Sequence, residues 1–216
     1  MRRIPLLALV AALAACGGGG GGGTTEAQRT ETGAGGCTTV AAPKAGERTE
    51  PKPTRALDPA KTYDVVVRTN CGTFTIRLDQ RQSPHTTASF VALVRAGFFD
   101  RTVFHRIVPG FVIQGGDPTA TGTGGPGYTT VDRPRAGARY VHGVVAMAKT
   151  GAQPPGTSGS QFFVVTAADA GLPPDYAIIG KVVEGLAVVD RIGELGDANE
   201  QPTRVVEIEK ATVESS

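Results

Sequence analysis

The sequence predicts a mainly β domain, an antiparallel barrel or sandwich capped by two helices. Three observations lead there: many short segments rich in Val, Ile, Phe and Thr, only two stretches with helical spacing, and long Gly/Pro-rich loops between them. Tyr63–Arg68 and Thr73–Leu78 alternate in polarity around Thr69-Asn70-Cys71-Gly72, a turn with a glycine free to take positive φ, and read as a β-hairpin. Ser83-Pro84 sets a capping hydroxyl before a proline at the first helical position. Ala88, Phe90, Val91 and Val94 then form one helical stripe, which Gly97 ends. Strands follow at Val103–Ile107, Phe111–Gln114, Val144–Ala148, Phe162–Thr166 and Ala177–Val182. A second helix within Glu184–Leu195 carries Leu186, Val189 and Ile192 at core spacing, and Arg204–Val213 is the last strand.

The chain has 216 residues, 40% hydrophobic and 19% charged, enough for one ordinary domain plus loosely structured extra length. Lys and Arg number 22 against 20 Asp and Glu; removing Arg2 and Arg3 with a cleaved leader leaves 20 against 20. A balanced chain gives no bulk electrostatic reason to bind nucleic acid or anionic lipid. Glycine is the compositional outlier, but Gly17–Gly23 is a single run and no Gly-X-Y period exists, which excludes collagen.

Met1-Arg2-Arg3 is a short basic start, and Ile4–Leu13 is apolar but too short for a bilayer that needs about 20 residues. Residues 1–15 therefore read as a signal peptide. Leu13-Ala14-Ala15-Cys16 resembles the lipobox of bacterial lipoproteins, which implies that Cys16 becomes the first mature residue and carries a diacylglycerol thioether. The alternative is a plain secretory signal in which Cys16 is incidental. Residues 16–58 hold almost no large apolar side chain, so they read as a flexible spacer between membrane and domain, the domain being 59–216. With Cys16 lipidated, Cys37 and Cys71 are an even pair in an oxidising compartment, where a disulfide is favoured; the alternative is a buried Cys71 thiol and a free Cys37. There is no Cys-x-x-Cys, and His85, His105 and His142 lie far from the cysteines, so no metal site is expected.

Phe104-His105-Arg106-Ile107-Val108-Pro109-Gly110-Phe111-Val112-Ile113-Gln114-Gly115-Gly116-Asp117 resembles the signature of the cyclophilin family of peptidyl-prolyl isomerases. Gly159-Ser160-Gln161-Phe162-Phe163 is similar to the family's second motif and Ile178-Ile179-Gly180-Lys181-Val182 to its third, in the family's order. The resemblance covers essentially all of 63–214 and implies a closed antiparallel eight-stranded barrel capped by two helices. It also implies a monomer that binds proline-containing peptide segments and needs no cofactor; taken with the leader and the Cys16 motif, its substrates are expected to be exported polypeptides outside the membrane.

Rotating an Xaa-Pro bond means breaking amide resonance, a barrier of about 18–20 kcal/mol, and forms no covalent bond. The site needs an apolar pocket for the proline ring and a donor aimed at the prolyl nitrogen, whose lone pair appears only as the bond twists. An arginine fits, because its fork stays charged and neighbours can hold it. By resemblance Arg106 is that donor, Gln114 orients it, and Phe111 and Phe163 complete the catalytic set. Val112, Leu172 and Tyr176 match pocket-lining positions; Ala148, Lys149 and Gln161 match positions that contact peptide on either side of the proline. Val112 stands for a common Met, Lys149 for an Asn and Tyr176 for a His. Gly171 stands where many members carry Trp, a departure that bears on tight binding of cyclosporin-type macrocycles more than on turnover.

Phe99, Phe104 and Phe162 read as core, and His105 as structural, since the reaction moves no proton between heavy atoms. His85 and His142 read as surface or loop residues. Gly122–Gly127 is glycine-rich but lacks the Lys-Ser/Thr of a phosphate loop, and in the family such a stretch borders the substrate groove. A non-catalytic proline-peptide-binding module or chaperone is the competing reading; the presence of Arg106, Phe111, Gln114 and Phe163 favours the enzyme. No Ser/His/Asp or Cys/His set supports a hydrolase.

Overall fold

The first hairpin forms as its alternation requires: β1 (Tyr63–Thr69) pairs antiparallel with β2 (Gly72–Leu78), with Val67 opposite Phe74 and Thr69 opposite Gly72. The structure is a computed structural model and describes residues 36–216. Helix α1 (Pro84–Arg95) leads to β3 (Thr102–Val103), β4 (Arg106–Val108), β5 (Val112–Gly115), β6 (Thr130–Val131), β7 (Val144–Met147), β8 (Thr157–Ser158), β9 (Phe162–Val165) and β10 (Ile178–Glu184). Helix α2 (Leu186–Gly193) and β11 (Glu207–Ser215) complete the chain. One antiparallel sheet runs in the order β3-β11-β1-β2-β10-β7-β9-β5-β4.

The ends of that order, β3 and β4, are consecutive in the chain and separated only by Phe104 and His105. Val103 also bridges to Asp117 just beyond β5, so the sheet curls round and closes through one broken strand. The single strand expected over Val103–Ile107 is thus two pieces, because its first half pairs with β11 and its second with β5. Counted as one, they leave the eight strands of the expected barrel; β6 and β8 form a separate two-stranded ribbon that the sequence pattern does not reveal.

Period-2 alternation sends neighbouring residues to opposite faces. Phe162 and Val164 of β9 enter the main core, with Phe74, Phe90, Phe99 and Phe104, while Phe163 and Val165 belong to a second apolar cluster. Inside, Phe162 meets Phe90, Phe99 and Phe104 edge-on at 5.5, 5.8 and 6.0 Å between ring centres. The core assignment of these rings stands.

The cap predicted at Ser83 is not made: its hydroxyl donates instead to the Ile178 carbonyl at 2.7 Å. Asp132, distant in sequence, accepts the free Thr86 N–H at 2.6 Å and supplies the cap. Gly97 (φ +69°) ends α1 as expected, with Gly97 N–H bonding Val94 O and Phe98 N–H bonding Leu93 O.

Up to residue 35 the predicted spacer, like Cys16 and the signal peptide, lies outside the described residues. From Gly36 to Asp58, where a flexible spacer is expected, the chain instead runs along the domain as a strap. Cys37 is fully buried and disulfide-bonded to Cys71, and Thr38 N–H bonds Asn70 O while Asn70 Nδ2 bonds Thr38 O. Gly46 and Glu50 donate their N–H groups to the Pro118 and Pro126 carbonyls, and Lys52 Nζ donates to Thr129 O. Arg48 Nη1 donates to the carbonyls of Phe98 (2.5 Å) and Asp100 (2.9 Å). A polar segment with no core of its own is ordered here because its donors find carbonyls on the domain and a crosslink limits its freedom.

Candidate active site

Four strands in register set the site. Arg106 of β4 lies opposite Gln114 of β5, Gln114 opposite Phe163 of β9, and Phe163 opposite Ala146 of β7. The alternation that puts Ile113 and Phe162 inside turns Val112, Gln114 and Phe163 to the other face. There Val112 and Phe163, both nearly buried, form the floor of the second apolar cluster, and Phe111, Ala148, Leu172 and Tyr176 pack round it, half exposed. The structure therefore gathers every pocket residue named from sequence at one patch beside Arg106.

Arg106 is held at two points. Its Nε donates to Glu200 Oε2 at 2.7 Å and its Nη1 to Gln114 Oε1 at 3.3 Å. Gln114 Nε2 donates on to Gln161 Oε1 (3.1 Å), and Gln161 Nε2 to the Gly124 carbonyl (3.0 Å). This chain fixes the amide orientations, and no bond to Arg106 Nη2 is seen among the described residues. Two of the guanidinium's edges are occupied and one is left for a ligand.

Asp117 shapes the loop that ends the chain of bonds. Fully buried, it accepts the N–H and hydroxyl of Thr119 at Oδ1 and the N–H groups of Thr121, Gly122 and Gly124 at Oδ2. Burial alone would push its pKa up; the Thr119, Gly124 and Gly122 donors outweigh that and hold it below the usual carboxylate value. Gly124 has to be glycine, since a Cβ there would collide with Asp117 Oδ1.

Tyr140 and Glu200 escape the sequence reading. Tyr140, fully buried, donates its hydroxyl to Tyr176 O at 2.7 Å and accepts Tyr176 N–H at 3.0 Å, which locks the Tyr176 ring edge-on to Phe163 at 5.5 Å. It lies in an irregular stretch with no periodicity to mark it. Glu200 sits in the left-handed region (φ +63°) in a turn whose pattern says nothing of Arg106, 94 positions away. Lys149 folds its side chain back, Nζ 5.5 Å from the centre of the Tyr176 ring and 3.2 Å from Gln153 O. His85 is exposed, and His142 Nε2 pairs with Asp190 Oδ1 at 2.6 Å on the surface.

A closed barrel with an apolar patch on its outer face and a clamped guanidinium at the rim defines a structural class: a β-barrel with a shallow apolar site next to a held cation. Similarity to known proteins narrows the class. A family model, Cyclophilin type peptidyl-prolyl cis-trans isomerase/CLD, matches residues 64–213. Peptidyl-prolyl cis-trans isomerase-like 1 of Neurospora crassa is 41% identical over 155 residues, 69% of this chain and 93% of the relative. The isomerase CYP18-2 of Arabidopsis thaliana is 36% identical over 155 residues, 69% and 93% of the two chains. A crystal structure of a Cryptosporidium parvum cyclophilin type peptidyl-prolyl cis-trans isomerase superposes with a TM-score of 0.66 at 32% identity, over 72% of this chain and 99% of that one. The chain belongs to the cyclophilin-type peptidyl-prolyl cis-trans isomerases. The strap lies outside the matched range.

Proposed function

We propose that this isomerase is a lipid-anchored folding catalyst that twists Xaa-Pro bonds of exported polypeptides outside the membrane. The observation that carries the catalytic part is the Arg106 guanidinium, fixed by Glu200 and Gln114 beside the apolar patch of Phe111, Val112, Phe163, Leu172 and Tyr176. The proline ring occupies that patch, and Ala148, Lys149 and Gln161 flank the peptide. As the bond rotates, the prolyl nitrogen becomes pyramidal and basic, and a free N–H of Arg106 donates to it. That bond is absent from both planar ground states, so it lowers the barrier without tightening substrate binding. Because the acceptors are already in place, little reorganisation accompanies the twist.

A crystal structure of the Cryptosporidium parvum protein was determined in the presence of the dipeptide ala-pro, which supports a proline-peptide ligand by likeness. The export part rests on the leader-like start, the Leu13-Ala14-Ala15-Cys16 motif and the disulfide, a bond favoured outside the reducing cytosol. Exchange NMR on an Xaa-Pro peptide with the full-length protein tests the activity, which should persist in EDTA. Membrane fractionation of wild type and Cys16→Ser tests the anchor. Wild type should sediment with membranes carrying lipid on Cys16, and the variant should be released or remain unprocessed; a wholly soluble wild type with an unmodified Cys16 contradicts the anchor.

A further inference from the structure

Beside the isomerase patch lies an open pocket of about 590 Å³, and one of its walls is the strap: Glu47, Arg48 and Thr49 line it together with Gln114, Gln161 and the Gly122–Gly127 loop. The strap is tightly seated there. Gly46 and Glu50 N–H groups clip it on either side of Gly122–Gly125, at the Pro118 and Pro126 carbonyls, and Thr49 Cγ2 lies 3.4 Å from where a Cβ on Gly127 would stand. Among the described residues, three charged ones line the pocket: Glu47, Arg48 and Lys149. Arg48 places its head on the Phe98 and Asp100 carbonyls, which do not line the pocket, and Lys149 sits 3.9 Å from the Asp175 carboxylate. Glu47 is exposed and, among the described residues, makes no hydrogen bond or ion pair. With the Arg48 guanidinium turned onto carbonyls outside the pocket and Lys149 beside Asp175, Glu47 is the charged group of the lining left without a bonded partner, and it comes from outside the family domain.

We infer that the strap is a built-in part of the substrate groove, and that Glu47 makes the enzyme prefer peptides with a cationic side chain flanking the proline. The inference rests on the isomerase reading of the neighbouring patch. The link between the two is the Arg106–Gln114–Gln161–Gly124 chain of hydrogen bonds, which runs from the proposed donor to the loop forming the pocket's other wall. A peptide with its proline on Phe163 extends past Gln161, and its flanking side chain enters the space between loop and strap. A solvent-exposed pairing with Glu47 favours Lys over a neutral residue by about threefold and disfavours Glu by a similar factor, less at high salt. The Cys37–Cys71 bond fastens the strap's leading end, so reducing it loosens the wall and weakens the preference.

The test compares kcat/KM by exchange NMR on Xaa-Pro peptides in which the flanking residue, on each side in turn, is Lys, Gln or Glu. Full-length wild type should rank Lys over Gln over Glu at one of the two sides. Glu47→Gln should flatten the ranking, Glu47→Lys should invert it, and Cys37→Ser should reduce it. An unchanged ranking in Glu47→Gln and Glu47→Lys, with the variants folded, overturns the inference. Should no peptide be turned over at all, the isomerase reading fails, and binding titrations of the same peptides decide the strap's role: Kd values that ignore both peptide charge and Glu47 overturn it, and Kd values that follow them sustain it.

Discussion

Glu200 holds Arg106 from across the fold: its Oε2 accepts the Arg106 Nε–H at 2.7 Å while Gln114 takes the Nη1 edge at 3.3 Å. Glu200 is a positioning residue, since it touches the guanidinium and not the cleft. Glu200→Ala should lower kcat about three- to fivefold with little change in KM, because the pair is partly solvated and Gln114 still holds one edge. Glu200→Gln keeps a carbonyl acceptor and should recover most of the loss. Steady-state rates on one Xaa-Pro peptide separate kcat from KM and check both.

Phe162 and Phe163 are adjacent in β9 yet belong to different clusters. Phe162→Ala removes the ring that three others pack against and should destabilise the fold by about 3–5 kcal/mol. Phe163→Ala should chiefly weaken peptide binding, because it opens the floor of the cleft. Denaturant unfolding together with peptide titration distinguishes the pair.

Asp117 gathers five donors from its own loop, and Asp117→Ala should cost about 3 kcal/mol by leaving several of them unpaired. Its folded pKa lies below the ordinary 3.8, so the folded state holds the carboxylate in its charged form. That contribution is present above about pH 3.8 and disappears as pH falls through the lower, folded value. Unfolding curves between about pH 5 and 2, wild type against variant, should converge towards the acid end.

His105 has the same sign at higher pH. Burial lowers its pKa below 6.5, against an opposing pull from Asp117 and with a further push from Arg106. The folded state thus binds this proton less readily than the unfolded chain, so stability is full above pH 6.5 and declines as pH falls through the folded value. His105→Gln should flatten the stability profile in that window, measured by denaturant midpoints at neutral and mildly acidic pH.

How far the sequence speaks for itself depends on the range of the interactions. The β1–β2 hairpin, α1 and its Gly97 stop, and the alternation in β9 are set by neighbours within a few residues, and they read directly. The motif resemblance named the cleft residues, and register then brought them together. What stayed hidden depends on partners far along the chain: Asp132 capping α1 in place of Ser83, the break at Phe104-His105 where one strand changes partners, and Glu200 reaching Arg106. The strap is the clearest case. Its composition predicts disorder, because composition counts only the core a segment can build for itself, and here the carbonyls and the cysteine that order it belong to the domain.

Donation by Arg106 to the prolyl nitrogen only in the twisted state, as proposed, is tested most directly by exchange NMR on an Xaa-Pro peptide with wild type and Arg106→Ala, recording turnover and Kd together. Arg106→Ala should stay folded, bind peptide with nearly unchanged Kd and lose about 10²–10³ in turnover, the scale of deleting one transition-state donor. Near-normal turnover by folded Arg106→Ala would contradict it.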